Sequence, residues 1–300
     1  MKYSRSDNEF LSILFAAFVL VASGCGGQNV NVQELLNRPI EATGHFHQSK
    51  KYIKHGMTVV YLTGTPYEIG FAHGKLCKDE IKDVNQYYWE AYGKLKNTPD
   101  GKWLLLSRSL ERYIPQEYVL EMKGIADGSG IEYDKILFLN TLTTISKHTE
   151  CFAFSFHQAD SNIITARQID IGTKKPLWKK MILYIIKPQK GYGFAAILNP
   201  GWVSGETGMN EKGITISENN IHVRQIEWDI MPITFLSRAA LQYSNSIDDV
   251  HRFLREQKNY PSQLLFVSSK KSATIFEIAN GEMARINMQE GYLAMANHAC

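Results

Sequence analysis

The 300-residue chain has only four cysteines, Cys25, Cys77, Cys151 and Cys300. So few cysteines exclude a disulfide-scaffolded domain, and in an oxidising compartment an unpaired thiol needs another explanation. An excess of one charge sign is missing too: 33 Lys and Arg stand against 30 Asp and Glu. That balance gives no footprint for nucleic acid, and no nucleic-acid partner is expected. The paired lysines at 50–51, 174–175 and 179–180 read as solvated surface. Internal repeats and low-complexity segments are absent. The longest apolar run, LSILFAAFVLVA (11–22), is too short to span a bilayer comfortably. His45-x-His47, with His55 nearby, has no Cys or carboxylate at ligand spacing, so neither metal nor cofactor is expected.

What is present suits a globular protein. Hydrophobic residues make up 44% and charged residues 21%, enough for a real core. Lys2 and Arg5 precede the apolar run, which fits a secretory signal. Ala22-Ser23-Gly24-Cys25 follows and resembles a lipobox, which makes residues 1–25 a lipoprotein signal and Cys25 the lipidation site. The expectation is an exported, membrane-anchored lipoprotein, because two acyl chains give stable anchoring. Residues 26–56 are expected to be a polar tether with a short helix at 32–36. MTVVYLTG (57–64) reads as a strand, and Thr65 with Glu68 as a helix-starting capping box. Residues 57–150 otherwise read as mainly helical. From Cys151 to Cys300 short strands dominate, with helices at 233–243 and 247–257. The whole is expected to be α+β with layered sheets.

Cys151 is the thiol with neighbours. CFAFSF (151–156) and IITARQIDI (163–171) read as strands joined by a tight turn, so they fold back antiparallel. That brings Arg167 and Asp170 beside Cys151. A cation near a thiol favours thiolate. No histidine has an evident claim as base. The α-amino group released if the chain broke between Glu150 and Cys151 is a candidate, since its pKa of about 7.7–8.0 lies near working pH.

The spacing Cys151, Arg167, Asp170 resembles that of the choloylglycine hydrolases. More closely, the chain resembles the acyl-coenzyme A:6-aminopenicillanic acid acyltransferase-like Ntn hydrolases. GTPYEIGFAHGKL (64–76), EMKGIADGSGIEYDKILFLNTL (121–142), GMNEKGITISENNI (208–221) and AMANHAC (294–300) are similar to segments of that group, in the same order. The late segment has Ala296 where the group usually has Thr. The resemblance implies an αββα four-layer sandwich, a pro-region or small subunit over residues 57–150, and a self-cleaving chain whose N-terminal Cys151 attacks a linear amide. It further implies that Asp170 binds the new amine, Arg167 tunes the thiol, Asn219 or Asn220 stabilises the oxyanion, and Asn297 positions amine or substrate. Members of the group usually continue beyond the late asparagine. The expected partner is a small N-acyl amide, with a fatty or aromatic acyl group favoured by the anchor. Two rival readings are a papain-like thiol hydrolase, with Cys151 at a helix start and a His base (His148 or His298), and a non-catalytic binding module of the same fold.

Overall fold

The computed structural model describes residues 41–54, 56–93, 102–145, 149–158, 162–171, 177–221, 229–257, 261–279 and 281–298. The signal, Cys25, the helix expected at 32–36 and Cys300 lie outside them. Two sheets form the frame. The larger has ten strands in the order β1-β2-β3-β6-β7-β8-β9-β10-β11-β12, and the smaller is β13-β4-β5. In the large sheet these strands are β1 Glu41–Phe46, β2 Ser49–Lys54, β3 Met57–Gly64, β6 Ile182–Pro188, β7 Phe194–Leu198, β8 Thr207–Asn210, β9 Thr215–Asn219, β10 Gln263–Ser268, β11 Ala273–Ala279 and β12 Glu282–Asn287. In the small one they are β4 Thr149–His157, β5 Ile163–Ile171 and β13 Tyr292–Met295. The α+β class and the stacked sheets expected from sequence are both present.

Residues 41–54 are strands where an irregular tether was expected. EATGHF and SKKYIK carry too few apolar residues to announce themselves, and their structure comes from pairing onto β3, tertiary context overriding a weak local signal. The mainly helical region shares a sheet and a core with the rest of the chain. Its strand β3 pairs in parallel with β6, and Val60 and Leu62 share one core with Tyr184, Ile186 and Phe194.

Helices cover one face of the large sheet. They are α1 Pro66–Leu76, α2 Lys78–Tyr88, α3 Lys102–Glu111, α4 Gln116–Ser129, α5 Tyr133–Ile145, α6 Ile233–Tyr243 and α7 Ile247–Glu256. The expected capping box starts α1: Glu68 N–H donates to Thr65 Oγ1 at 3.3 Å, and Thr65 N–H to Glu68 Oε2 at 2.8 Å. Four glycines let α1 and α4 touch through their backbones. A Cβ on Gly70 would lie 1.9 Å from Glu121 O, and one on Gly124 2.3 Å from Tyr67 O. Gly74 and Gly128 close the same seam further along, at 2.5 Å from Ile125 O and 2.3 Å from Phe71 O. No side chain fits there.

The small sheet packs on the opposite face of the large one. Ala153 and Met295 meet Leu264, Phe266 and Ile275. A run of hydroxyls links the sheets: Ser155 to Thr165 at 2.6 Å within the small one, Thr165 to Ser268 at 2.7 Å between the two, and Ser268 to Thr215 at 2.5 Å within the large one. The outer face of β4 presents Phe152 and Phe156 to solvent.

Candidate active site

Cys151 is the third residue of β4, and the hairpin with β5 forms in the expected register. Cys151 stands opposite Ile169 and Ala153 opposite Arg167. Side chains alternate along a strand, so Cys151, Ala153, Arg167 and Ile169 share the face turned toward the large sheet. Arg167 Nη2 lies 3.6 Å from Cys151 Sγ. Its Nη1 donates to the carbonyl of Glu206 and to Thr207 Oγ1, and Nη2 also donates to the carbonyl of Glu218. The guanidinium is thus pinned by neutral acceptors, with Glu218 Oε2 at 4.0 Å.

The last strand supplies the other side. The backbone N–H of Cys151 donates to Asn297 Oδ1 at 2.5 Å, and Asn297 Nδ2 donates to the carbonyl of Asn220 at 2.7 Å. Asn219 is fully buried and donates through Nδ2 to the carbonyl of Ala296 at 3.3 Å. Asn220 Oδ1 instead accepts from Gln263 Nε2 at 3.2 Å. Of the two asparagines left open by the sequence, Asn219 therefore has its side-chain amide on the segment that carries Asn297. Asp170 stands opposite Glu150 in the register; its side chain lies outside the described residues. Glu150 is exposed while Cys151 is buried, so the peptide bond between them marks the solvent boundary.

Burial pushes the Cys151 thiol above its usual pKa, Arg167 pulls it back, and Glu218 opposes that pull. A thiol held above its usual pKa needs a base to act. Cys77 is fully buried in the helical core, where desolvation raises its pKa to about 12. It is inert. His148 lies outside the described residues, and His157 and His298 are exposed. A papain-like arrangement requires a helix start at the cysteine, and Cys151 lies within a strand.

Sequence reasoning missed the loop between β7 and β8. Asn199, Trp202 and Glu206 line a small cavity of about 20 Å³ beside Cys151 and Arg167. The helical half positions this loop. His73 Nε2 accepts from Gly201 N–H at 3.1 Å and contacts Tyr184 Oη at 2.9 Å. Asn140 donates to the carbonyl of Gly201 at 2.9 Å and accepts from Val203 N–H at 2.7 Å. The available signal was Glu206 itself, a carboxylate inside the otherwise small and apolar run GWVSGETG (201–208). A larger recess of about 540 Å³ lies elsewhere, between Phe46, Tyr67 and Phe71, away from the thiol.

The family model of acyl-coenzyme A:6-aminopenicillanic acid acyl-transferase matches residues 157–300. The resemblance read from the motifs is to this family. The acyltransferase-like pattern extends into individual proteins. The chain is 24% identical over 255 residues to an acyl-coenzyme A:6-aminopenicillanic-acid-acyltransferase 40 kDa form of Emericella nidulans, covering 81% of this chain and 69% of that protein. It is 27% identical over 227 residues to a beta-alanyl-dopamine/carcinine hydrolase of Drosophila melanogaster, covering 68% and 58%. It is 23% identical over 249 residues to protein dcd1B of Dictyostelium discoideum, covering 73% and 49%. The chain spans about half the length of the first curated relatives it matches. Among solved structures, a Caenorhabditis elegans N-acylethanolamine-hydrolyzing acid amidase ortholog overlays with a TM-score of 0.43 at 12% identity, covering 49% of this chain and 70% of its own.

Proposed function

We propose that this chain is a self-processing Ntn amidohydrolase or acyltransferase that cleaves linear C–N amide bonds through a thioester on Cys151. The observation that carries the reading is the hold on the Cys151 backbone nitrogen: Asn297 Oδ1 accepts its N–H while Arg167 faces its sulfur. A residue needed only for packing has no use for both contacts. In the first step Sγ attacks the Glu150 carbonyl carbon, the Glu150–Cys151 C–N bond breaks, and the acyl chain shifts to sulfur. Water then hydrolyses the thioester and leaves a free α-amine on Cys151, with its nitrogen still against Asn297. That amine accepts the thiol proton in each later turnover. Substrate carbonyl carbon adds to sulfur, and the amine product leaves with the proton. Water or a second amine takes the acyl group.

Within this reading Asn219 offers its amide N–H to the tetrahedral oxyanion, a donor worth about 3 kcal/mol. Arg167 offsets the burial that keeps the thiol protonated, and Asp170 holds the new amine. The substrate is a small N-acyl amide, in keeping with the hydrolase and acyltransferase named among the relatives. Export as a membrane-anchored lipoprotein through Cys25 belongs to the same proposal and is checked by metabolic labelling with a fatty acid.

Intact-mass analysis of the purified protein tests the central claim. The expected products are two chains divided before Cys151. Cys151→Ala should stay whole and inactive, and Cys151→Ser should process slowly. An uncut yet active wild type would sink the self-cleavage mechanism, and loss of activity on His298 substitution in an uncut chain would favour a histidine base.

A further inference from the structure

We propose that the recess beside the Cys151 thiol binds a small cationic group, an ammonium carried by the substrate, with Glu206 as its counter-charge. The proposal rests on Cys151 as the reacting group. It adds the chemical class of what sits beside it.

Among the described residues that line the recess, carboxylates outnumber cations. Its described lining includes two carboxylates, Glu206 and Glu218, and one guanidinium, Arg167. Arg167 spends its four closest contacts on two carbonyl oxygens, a hydroxyl and the sulfur. The Glu206 carboxylate accepts from two hydroxyls, Thr234 Oγ1 at 3.4 Å and that of Ser204. Glu206 is 6% exposed. Burial raises its pKa and Arg167 lowers it. A buried carboxylate in that position is stabilised by a cation of matching size.

Two further groups point to a ligand. Trp202 Nε1 and Asn199 Oδ1 are buried, and neither has a hydrogen-bond partner among the described residues. Trp202 is 8% exposed and Asn199 1%, and both line the recess. Buried polar atoms are rarely left unsatisfied. Asn199 Oδ1 is a second acceptor for an ammonium, beside Glu206. The Trp202 indole N–H suits a carbonyl oxygen. A carboxylate and a carbonyl oxygen together form a site for an ammonium. Ile197 and Leu198 supply apolar walls, and a less polar surrounding strengthens each of these attractions.

Size limits the ligand further. About 20 Å³ holds one water-sized group, which fits an ammonium and leaves no room for a long alkyl chain. The favoured acyl group is therefore short and amine-bearing, against the fatty or aromatic group expected from sequence.

The test uses two thiol reagents of equal shape on the full chain: aminoethyl methanethiosulfonate, which is cationic, and ethyl methanethiosulfonate, which is neutral. In both, the thiolate attacks the sulfenyl sulfur, a mixed disulfide forms and methanesulfinate leaves. Rates at Cys151 are read by peptide mass and divided by the same reagent's rate with 2-mercaptoethanol. The expected result is a preference for the cationic reagent of about tenfold or more. Glu206→Gln should bring that ratio close to one, and Glu206→Asp should recover part of it. On the wild type alone, ethylammonium chloride should slow the neutral reagent more than equimolar sodium chloride does. Equal normalised rates, a preference that survives Glu206→Gln, no protection by ethylammonium, or no labelling of Cys151 by either reagent would overturn the proposal. Charge-selective labelling without any amide turnover would leave this site standing and remove the amidohydrolase reading. Turnover of neutral amides without charge selectivity would do the reverse.

Discussion

His73 shows how one residue can tie the fold to the site. Gly201 N–H can only donate, so Nε2 must carry a lone pair and the imidazole must be neutral. Burial lowers its pKa from 6.5 to about 3. The unfolded chain therefore takes up a proton that the native chain refuses. The His73 contribution is complete above pH 6.5 and is lost progressively as pH falls toward 3, a few kcal/mol in all. Melting temperature followed from pH 7 to 4 should drop more steeply in wild type than in His73→Gln, whose side-chain oxygen can still accept from Gly201. Parallel slopes would mean that other groups set the acid sensitivity. At this scale the sequence was partly readable. Cys151 and Arg167 come together through a local hairpin, so spacing alone locates them. Glu206 and Trp202 line the cavity beside the thiol on a loop that His73 and Asn140, remote in sequence, help to hold. No local pattern encodes such a contact.

Among the elements, the backbone seam of α1 and α4 makes the sharpest demand on sequence. Gly124→Ala improves helix propensity by about 1 kcal/mol. Its new methyl, however, would overlap the Tyr67 carbonyl at 2.3 Å, and forcing the helices apart costs roughly 1–3 kcal/mol or more. The net expectation is a lower denaturation midpoint, measured by urea titration, and a neutral or stabilising result would show that the seam can widen. Strands and caps with strong local chemistry were legible. Thr65 and Glu68 announce α1, and the β-branched run 57–64 announces β3. The strands β1 and β2 were not, because their polar residues gain strand structure from a neighbour.

Across the whole molecule, helices from both halves of the chain are joined by a buried ion pair. Arg238 of α6 reaches Glu121 of α4 through two bonds of 3.3 and 3.0 Å, and its guanidinium lies 4.5 Å from the ring centre of Phe194. Both partners are almost wholly buried. Glu121→Leu should destabilise by about 3–5 kcal/mol, since it strands a buried charge. Adding Arg238→Met should restore much of that loss in the same chemical denaturation assay; failure to recover would assign the pair a role beyond its own charge. The α+β layering was readable from the order of patterns, while the fusion of the two halves into one core was not, because the parallel contact of β3 with β6 leaves no local trace. The glycine seam has one more consequence. Hydrostatic compression acts on empty volume, and a contact made of backbone against backbone has almost none to give. Under pressure the seam should behave as the incompressible spine of the molecule, while the recess beside Cys151 is where the volume is lost first.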